Sequence, residues 1–282
     1  MKKNNLPVMI LAGGFGTRLR EETEFMPKPM VPIGNKPILW HIMKLYSHYG
    51  FYRFIICLGY KGHMIKDYFL NYRLQGIDFT VKTKFGKIIE HQTNCEEWEV
   101  TLVDTGFDCY TGGRIARASK YIDTKSFLLT YGDGVSNVDI LKLLEFHKSH
   151  GKLATLTGVN MPPRFGNLEV KDNSVVSFME KRKITEEWIN GGFFVLEKDF
   201  LNYLSIDSSC VLEKDPLFNA SKDGQLMIYK HHGFWQCMDT LRERNMLEEM
   251  WKSSPPWKVW EDEKAEYRNI KKVFSPDKQA VI

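Results

Sequence analysis

The chain has 282 residues, which is long enough to bury a hydrophobic core without disulfides or structural metals. Its net charge of +4 at pH 7 is mild and forms no basic stripe, so small anions are expected as partners and nucleic acid is not. Five cysteines, an odd number without a C-x-x-C pair, indicate neither a disulfide framework nor a zinc site and predict a reducing, cytoplasmic compartment.

The first apolar stretch, Val8 to Ala12, ends at a pair of glycines. It is too short for the apolar part of a secretory signal and far too short for a membrane span, so neither secretion nor a membrane partner is expected. Val8 to Leu11 instead predicts a buried strand. The helix after it is expected to begin at Pro37, whose fixed φ suits the first helical position, and to end at Gly50.

Apolar runs and helical patterns alternate through the rest of the first half. Strands are predicted at Phe54 to Leu58, Phe79 to Thr83, Val100 to Val103 and Phe127 to Thr130, helices at His63 to Tyr72 and Thr111 to Tyr121, and a loop or hairpin from Lys84 to Trp98. This alternation predicts an α/β, Rossmann-like sheet that is mixed but mostly parallel, with flanking helices.

The second half has shorter strands and more turns. Strands are predicted at Ala154 to Val159, Leu168 to Val170, Val175 to Phe178, Gly192 to Leu196 and Leu226 to Tyr229, with helices near Ile140 to Ser149, Asp199 to Leu204 and Leu212 to Ala220. No repeat or low-complexity linker separates the halves. We therefore expect one domain over residues 1–261, with a nucleotide-binding half (7–135) and a smaller, β-rich sugar-phosphate-binding half (136–261). The charged tail 262–282 is either disordered or a subunit contact.

The stretch from Leu11 to Met30 has the composition of a triphosphate site. Glycines bring backbone N–H groups close to phosphate oxygens, Arg18 adds a planar fork of donors, and Lys28 adds a point charge held between two prolines. A Walker loop is excluded because no Lys follows the glycines. A Rossmann fingerprint is excluded because Leu19 stands where its third glycine belongs and no acidic residue ends the next strand.

Asp133 lies in Gly132-Asp133-Gly134, directly after the strand predicted at Phe127 to Thr130. Ligands of open α/β sheets gather beyond the carboxyl ends of strands, so Asp133 and the glycine-rich loop after Leu11 are expected to face one crevice. A carboxylate beside a triphosphate favours Mg²⁺, which prefers one or two carboxylates together with phosphate oxygens.

The motifs GGFGTRL, PKPM, GNKPIL, LVDTG, TGGR, TYGDGV, INGGFFV and GFWQCMDTLRE occur in this order from Val8 to Glu261. In type and order they resemble the sugar-1-phosphate nucleotidyltransferases, which have the nucleotide-diphospho-sugar transferase fold. Glu21-Glu22-Thr23, where the family more often has Pro-Leu-Thr, is similar to the members that use CTP. The resemblance implies transfer of a cytidylyl group from CTP to glucose 1-phosphate, giving CDP-glucose for deoxysugar and O-antigen polysaccharide synthesis and releasing pyrophosphate.

The resemblance also implies which residues form the site. It places the nucleotide on Leu11, Ala12, Gly13, Gly14, Phe15, Gly16, Thr17, Arg18, Lys28, Cys109 and Arg114, the sugar phosphate on Gly166, Glu180, Lys181, Asn190 and Gly191, and Mg²⁺ on Asp133 and Asp239. It makes Arg18, Lys28, Asp133 and Lys181 catalytic. Arg182 stands where the family has Pro, and by sequence alone Asp239 is equally suited to be a helix N-cap.

Three further interpretations stay open from the residues alone. They are the same reaction with UTP, dTTP or another phosphorylated substrate, a nucleotide-sensing module without activity, and a hydride-transferring dinucleotide enzyme. For base choice, Glu21 and Glu22 are expected to form an acidic wall that accepts a hydrogen bond from cytosine N4. None of the eight histidines is expected to be catalytic. The family resemblance implies a homo-oligomer, such as a hexamer built of dimers, and the tryptophans near the end of the chain predict packing on the body or on a neighbouring subunit.

Overall fold

The computed structural model describes residues 3–91, 95–160, 167–179 and 187–261. In these ranges the strands are β1 (Val8–Leu11), β2 (Pro32–Ile33), β3 (Lys36–Pro37), β4 (Arg53–Leu58), β5 (Phe79–Lys82), β6 (Lys87–Glu90), β7 (Glu99–Asp104), β8 (Ser126–Tyr131), β9 (Gly134–Ser136), β10 (Ala154–Val159), β11 (Asn167–Lys171), β12 (Ser174–Met179), β13 (Ile189–Asn190), β14 (Phe194–Glu197), β15 (Leu226–His231) and β16 (Trp235–Cys237).

The α-helices are α1 (Arg20–Thr23), α2 (Ile38–His48), α3 (Gly62–Leu70), α4 (Tyr72–Gln75), α5 (Thr111–Ala118), α6 (Ile140–His150), α7 (Asp215–Lys222) and α8 (Leu241–Ser253). Short 3-10 helices occupy Thr17–Leu19, Lys28–Met30, Thr83–Phe85, Ser119–Tyr121 and Lys198–Tyr203. No helix in the described ranges is long and apolar enough to cross a membrane.

One mixed sheet organises these elements. Its strands run in the order β13, β10, β14, β8, β1, β4 and β7, and β15 also pairs with β10. β8, β1, β4 and β7 are parallel, whereas β14 is antiparallel to both β8 and β10. The predicted α/β fold, with a mixed and mostly parallel sheet, is confirmed. Strands from the second half of the chain extend the sheet that the first half begins.

β1 is apolar along its whole length, as expected for a strand with helices on both faces of its sheet. In β1, Val8 and Ile10 belong to one core cluster, with residues of α2, α6 and α8, and Met9 and Leu11 belong to the other, with residues of α5 and α7. Alternation of side chains along each strand divides the core in this way. The loop after Leu11 thus begins from a strand fixed on both faces.

Two details of the predicted elements are wrong. Pro37 is not the first residue of α2; its ψ is 151° and it pairs with Pro32, so the helix begins at Ile38. The strand at Phe79–Lys82 pairs with β6 in a separate, exposed hairpin and not with the main sheet. Alternation of apolar residues identified that strand without its partner, because a hairpin and a sheet edge share the same period.

The tryptophans near the end of the described chain pack on the chain's own body. Trp257 and Trp260 are buried, and their rings lie beside the ring of His41, which is fully buried. His41 Nε2 lies 3.0 Å from the Ile33 carbonyl oxygen, and Trp257 Nε1–H donates to His41 Nδ1 at 3.4 Å. Of the two packing partners left open by the sequence, the structure shows the body.

Candidate active site

Thr23 closes the turn at the C-terminal end of the loop after β1. Gly16 has φ +64°, and a Cβ there would lie 2.7 Å from Thr23 Cγ2, so only glycine fits. The Thr23 hydroxyl lies 3.1 Å from the Gly16 carbonyl oxygen and 3.0 Å from that of Leu19, and it closes the turn from within α1. The loop backbone is therefore arranged before any ligand binds.

This loop borders a cavity of about 540 Å³. All residues predicted to hold the nucleotide line it: Leu11, Ala12, Gly13, Gly14, Phe15, Gly16, Thr17, Arg18, Lys28, Cys109 and Arg114. Asp133 lines it as well, because β1 and β8 are adjacent and parallel and end at the same edge of the sheet. The structure thus brings the predicted residues together, and their binding of a nucleotide stays a prediction.

Lys28 forms the centre of a charged cluster at one end of the cavity. Its ammonium lies 2.6 Å from Asp133 Oδ2 and 2.5 Å from Asp239 Oδ1, and Arg18 Nη1 lies 2.8 Å from Asp239 Oδ2. The Lys28 side chain is 10% exposed and that of Asp239 is 16% exposed, whereas Arg18 reaches into solvent. Two carboxylates that are 211 and 105 residues from Lys28 therefore converge on one cation.

A short pair of strands brings the two carboxylates together. β9 begins just after Asp133 and is antiparallel to β16, which ends just before Met238 and Asp239. The Met238 N–H donates to the Asp133 carbonyl oxygen at 2.8 Å and extends this pairing by one residue. Gly132 allows the turn to approach β1 closely, since a Cβ there would lie 2.8 Å from the Leu11 carbonyl oxygen.

Lys28 and Asp239 each stabilise the charged form of the other. Burial alone would lower the pKa of Lys28, but the charges and hydrogen bonds of Asp133 and Asp239 outweigh it and raise that pKa. Burial alone would raise the pKa of Asp239, and the hydrogen bond and charge of Lys28, followed by the charge of Arg18, hold it below its usual value. Both carboxylates lie against one cation, which is the arrangement that a metal ion also requires.

Asp239 is not the N-cap of α8, which was the other interpretation of its sequence position. Thr240 occupies that place: its hydroxyl accepts from the Glu243 N–H at 3.3 Å, and Glu243 Oε2 accepts from the backbone N–H groups of Thr240 and Asp239. This is a capping box. Because Thr240 and Glu243 cap the helix, the Asp239 carboxylate is left to face Lys28.

The guanidinium of Arg114, which the resemblance assigns to the nucleotide, is hydrogen-bonded to the protein itself. Its Nη1 donates to the Leu58 and Gly106 carbonyl oxygens and to the Thr105 hydroxyl, and its Nη2 donates to the Gly13 and Phe107 carbonyl oxygens. The guanidinium is buried and ties three loops of the cavity together. The first turn of α5 is not free either, because the Gly113 N–H donates to the Cys210 carbonyl oxygen.

The sugar-phosphate side is described only in part. Gly166, Glu180 and Lys181 lie outside the described residues. Asn190 Nδ2 donates to the Tyr131 hydroxyl at 3.0 Å, and Trp235 Nε1 donates to the Gly191 carbonyl oxygen at 2.7 Å. Asn190 therefore reaches the cavity wall through Tyr131, which lines the cavity.

Several residues of the cavity wall were not predicted from the sequence. Asp108, Tyr110, Thr111 and Tyr131 line the cavity; for Tyr131 the available signal was its place at the end of a central strand. The expected acidic wall is absent from this lining in the described structure, since neither Glu21 nor Glu22 belongs to it. Glu22 Oε1 instead lies 3.9 Å from Arg244 Nε, across the outside of the loop.

The fold and the charged cluster beside a glycine-rich loop define a nucleotide-handling transferase, and comparison with known protein families agrees. The Nucleotidyl transferase family model matches residues 7–242, so the chain belongs to that family. The predicted family resemblance is confirmed.

Named relatives and solved structures extend the comparison. The chain is 50% identical over 258 residues to a glucose-1-phosphate cytidylyltransferase of Salmonella typhimurium, which covers 91% of this chain and 100% of the relative. It is 43% identical to a probable glucose-1-phosphate cytidylyltransferase of Bacillus subtilis over 90% of this chain and 100% of the relative. A UDP-glucose pyrophosphorylase structure from Acinetobacter baumanii has the same fold, with TM-score 0.65, 16% identity and coverage of 91% and 96%.

Proposed function

We propose that this enzyme transfers the cytidylyl group of CTP to α-D-glucose 1-phosphate and releases pyrophosphate. The observation that carries the proposal is the convergence of Arg18, Lys28, Asp133 and Asp239 at the end of a cavity whose wall is a glycine-rich loop. The choice of cytosine and glucose is supported by the 50% identity to a relative with that name over nearly the whole chain.

The reaction needs no covalent enzyme intermediate. A phosphate oxygen of glucose 1-phosphate attacks the α-phosphorus of CTP in line, the bond from that phosphorus to the bridging oxygen breaks, and pyrophosphate leaves with the electron pair. The attacking phosphate is already ionised near pH 7, so the chain's task is positioning and charge neutralisation. Arg18 and Lys28 hold the triphosphate, and the loop N–H groups around Gly14 hold the leaving phosphates.

Asp133 and Asp239 fit Mg²⁺. Their carboxylates already share one cation, the Lys28 ammonium, at 2.6 and 2.5 Å, so a single ion can contact both. These two carboxylates would hold the ion, and its charge would offset the negative charge of the reacting phosphates. The Lys28 ammonium would then be available to contact phosphate.

The hexose phosphate binds on the side of Asn190 and Gly191, with Gly166, Glu180 and Lys181 supplying the remaining contacts. The amide of Asn190 offers a donor and an acceptor for sugar hydroxyls. Lys181 steers the attacking phosphate, and the enzyme acts in the cytoplasm.

The chain forms a homo-oligomer, such as a hexamer built of dimers. The β11–β12 hairpin pairs with no other strand in the described part of the chain. Five of its apolar side chains are more than half exposed: Leu168, Val170, Val175, Val176 and Phe178. An isolated two-stranded hairpin is marginally stable in water, so a second copy that covers these side chains is expected. Sedimentation of the parent and of Phe178→Ser checks this expectation.

The test of function is a panel of CTP, UTP, dTTP and GTP against several hexose 1-phosphates, with pyrophosphate release as the readout. We expect kcat/KM for CTP with glucose 1-phosphate to exceed that of UTP and dTTP by at least about 10². An equal kcat/KM for UTP would contradict the assignment of CTP as the preferred nucleotide. Absence of any pyrophosphate release, with nucleotide still bound, favours a sensing module.

A further inference from the structure

A hydrogen-bonded network outside the charged cluster joins two walls of the cavity. Its centre is Glu213, which lies just before α7. Each of its carboxylate oxygens accepts a hydrogen bond from one hydroxyl group. Tyr131 donates to Oε1 at 2.7 Å, and Thr111 Oγ1 donates to Oε2 at 2.6 Å. Thr111 and Tyr131 line the cavity, whereas Glu213 is exposed to solvent and does not belong to the lining. Glu213 therefore acts on the cavity through these two side chains.

Tyr131 carries the network to the sugar-phosphate side. Its hydroxyl accepts from Asn190 Nδ2 at 3.0 Å, and Asn190 Oδ1 accepts from the Gly192 N–H at 2.9 Å. These two bonds fix which end of the amide is the donor. The ring is also confined, because a Cβ on Gly192, whose φ is +78°, would lie 3.0 Å from Tyr131 Cδ2.

Thr111 carries the network to the nucleotide side. It is the first residue of α5, and its hydroxyl accepts from the Leu212 N–H at 2.9 Å. The Tyr110 N–H donates to the Ser208 carbonyl oxygen at 2.9 Å, so residues 208–213 close over the start of α5. Tyr110 and Thr111, which line the cavity, are held by this segment.

We propose that Glu213 is a positioning residue that sets the affinity for both substrates: through Thr111 it fixes the nucleotide wall, and through Tyr131 it fixes Asn190 for the hexose. The inference rests on the proposed function, because it takes Asn190 as a sugar contact and the cavity as the nucleotide site. Glu213 touches neither Lys28 nor the carboxylates, so its loss disturbs binding more than the chemical step. Such an effect appears in KM and not in kcat.

The two arms of the network can be cut separately. Glu213→Ala should raise KM for CTP and for glucose 1-phosphate by about 10-fold each with kcat within about 3-fold, and Glu213→Gln, which keeps one acceptor, should recover part of the loss. Tyr131→Phe should raise KM for glucose 1-phosphate alone. Thr111→Val should raise KM for CTP alone, and Thr111→Ser, which keeps the hydroxyl, should not. Glu145→Ala, on an exposed position of α6, is the control for removing a surface carboxylate.

The decisive comparison adds Glu213→Ala to Tyr131→Phe. We expect no further rise in KM for glucose 1-phosphate and the full rise in KM for CTP; a further rise for glucose 1-phosphate equal to that in the parent would overturn the proposal. A double-mutant cycle of the same pair on thermal unfolding measures their coupling without substrate. Zero coupling there overturns the network even if the parent is inactive, whereas an inactive parent with intact coupling refutes only the proposed function.

Discussion

Replacing Lys28 by Met tests the charged cluster most directly. Methionine is unbranched and one atom shorter than lysine, and it removes the charge that Asp133 and Asp239 share at 2.6 and 2.5 Å. Asp239 retains Arg18, but Asp133 loses the one ion-pair partner found for it in the described structure, and the two carboxylates then repel each other. Both stability and turnover should fall.

The magnitude follows from the burial of the cluster. Removing one partner of a fully buried pair costs about 3–5 kcal/mol, and an exposed pair contributes only about 0.2–1 kcal/mol. The Lys28 side chain is 10% exposed, and those of Asp239 and Asp133 are 16% and 30% exposed, so the cluster lies nearer the buried limit. We expect a loss of about 2–3 kcal/mol in the free energy of unfolding, or roughly 3–5 °C in Tm. Turnover should fall by about 10² to 10³.

The assay combines thermal unfolding with pyrophosphate release, each with and without Mg²⁺. Carboxylates freed of Lys28 are open to the ion, so Mg²⁺ should raise the Tm of Lys28→Met more than that of the parent; at 100 times the Kd the gain is about 2.7 kcal/mol. Lys148→Met, at an exposed position of α6, is the matched control, and its Tm and turnover should equal those of the parent. A Lys28→Met protein with the parental Tm and the parental turnover would refute the reasoning.

Three further predictions concern the metal, the loop and a buried histidine. Asp133→Asn keeps the size and one acceptor but loses the charge, so its turnover should fall and saturating CTP should not restore it; most of the activity remaining at ordinary Mg²⁺ would assign the metal to other residues. Gly16→Ala and Gly151→Ala both place a side chain at φ near +65° and should each lose about 1–2 kcal/mol of stability, but only Gly16→Ala meets Thr23, at 2.7 Å, and should weaken CTP binding in calorimetry. Burial lowers the pKa of His41 to about 4, so as the pH falls the unfolded chain protonates this histidine before the folded chain does. The stability of the folded chain that depends on neutral His41 is therefore present above pH 6.5, and about 3 kcal/mol of it is lost as the pH falls to 4. Unfolding free energies between these pH values should therefore fall less steeply for His41→Gln than for the parent, and a slope as steep as the parent's would count against the argument; His63→Gln, an exposed position, is the control.

The sequence by itself determined the strands of the central sheet and the position of the loop after Leu11. Continuous apolar runs form strands buried on both faces, and glycine and proline mark turns by their own backbone preferences. The meeting of Asp133 with the glycine-rich loop also followed from sequence, since the carboxyl ends of parallel strands share one edge of the sheet.

Only the tertiary structure decided how the polar side chains are paired. By its residue type Arg114 could bind an anion, but its guanidinium donates to five acceptors in loops that are far apart in sequence. Asp239 could have capped α8 until the structure placed Thr240 and Glu243 there. No sequence pattern indicated that Glu213 belongs near the site. A local pattern fixes backbone conformation, whereas the partner of a charge or hydroxyl depends on chain segments that folding brings together from distant positions.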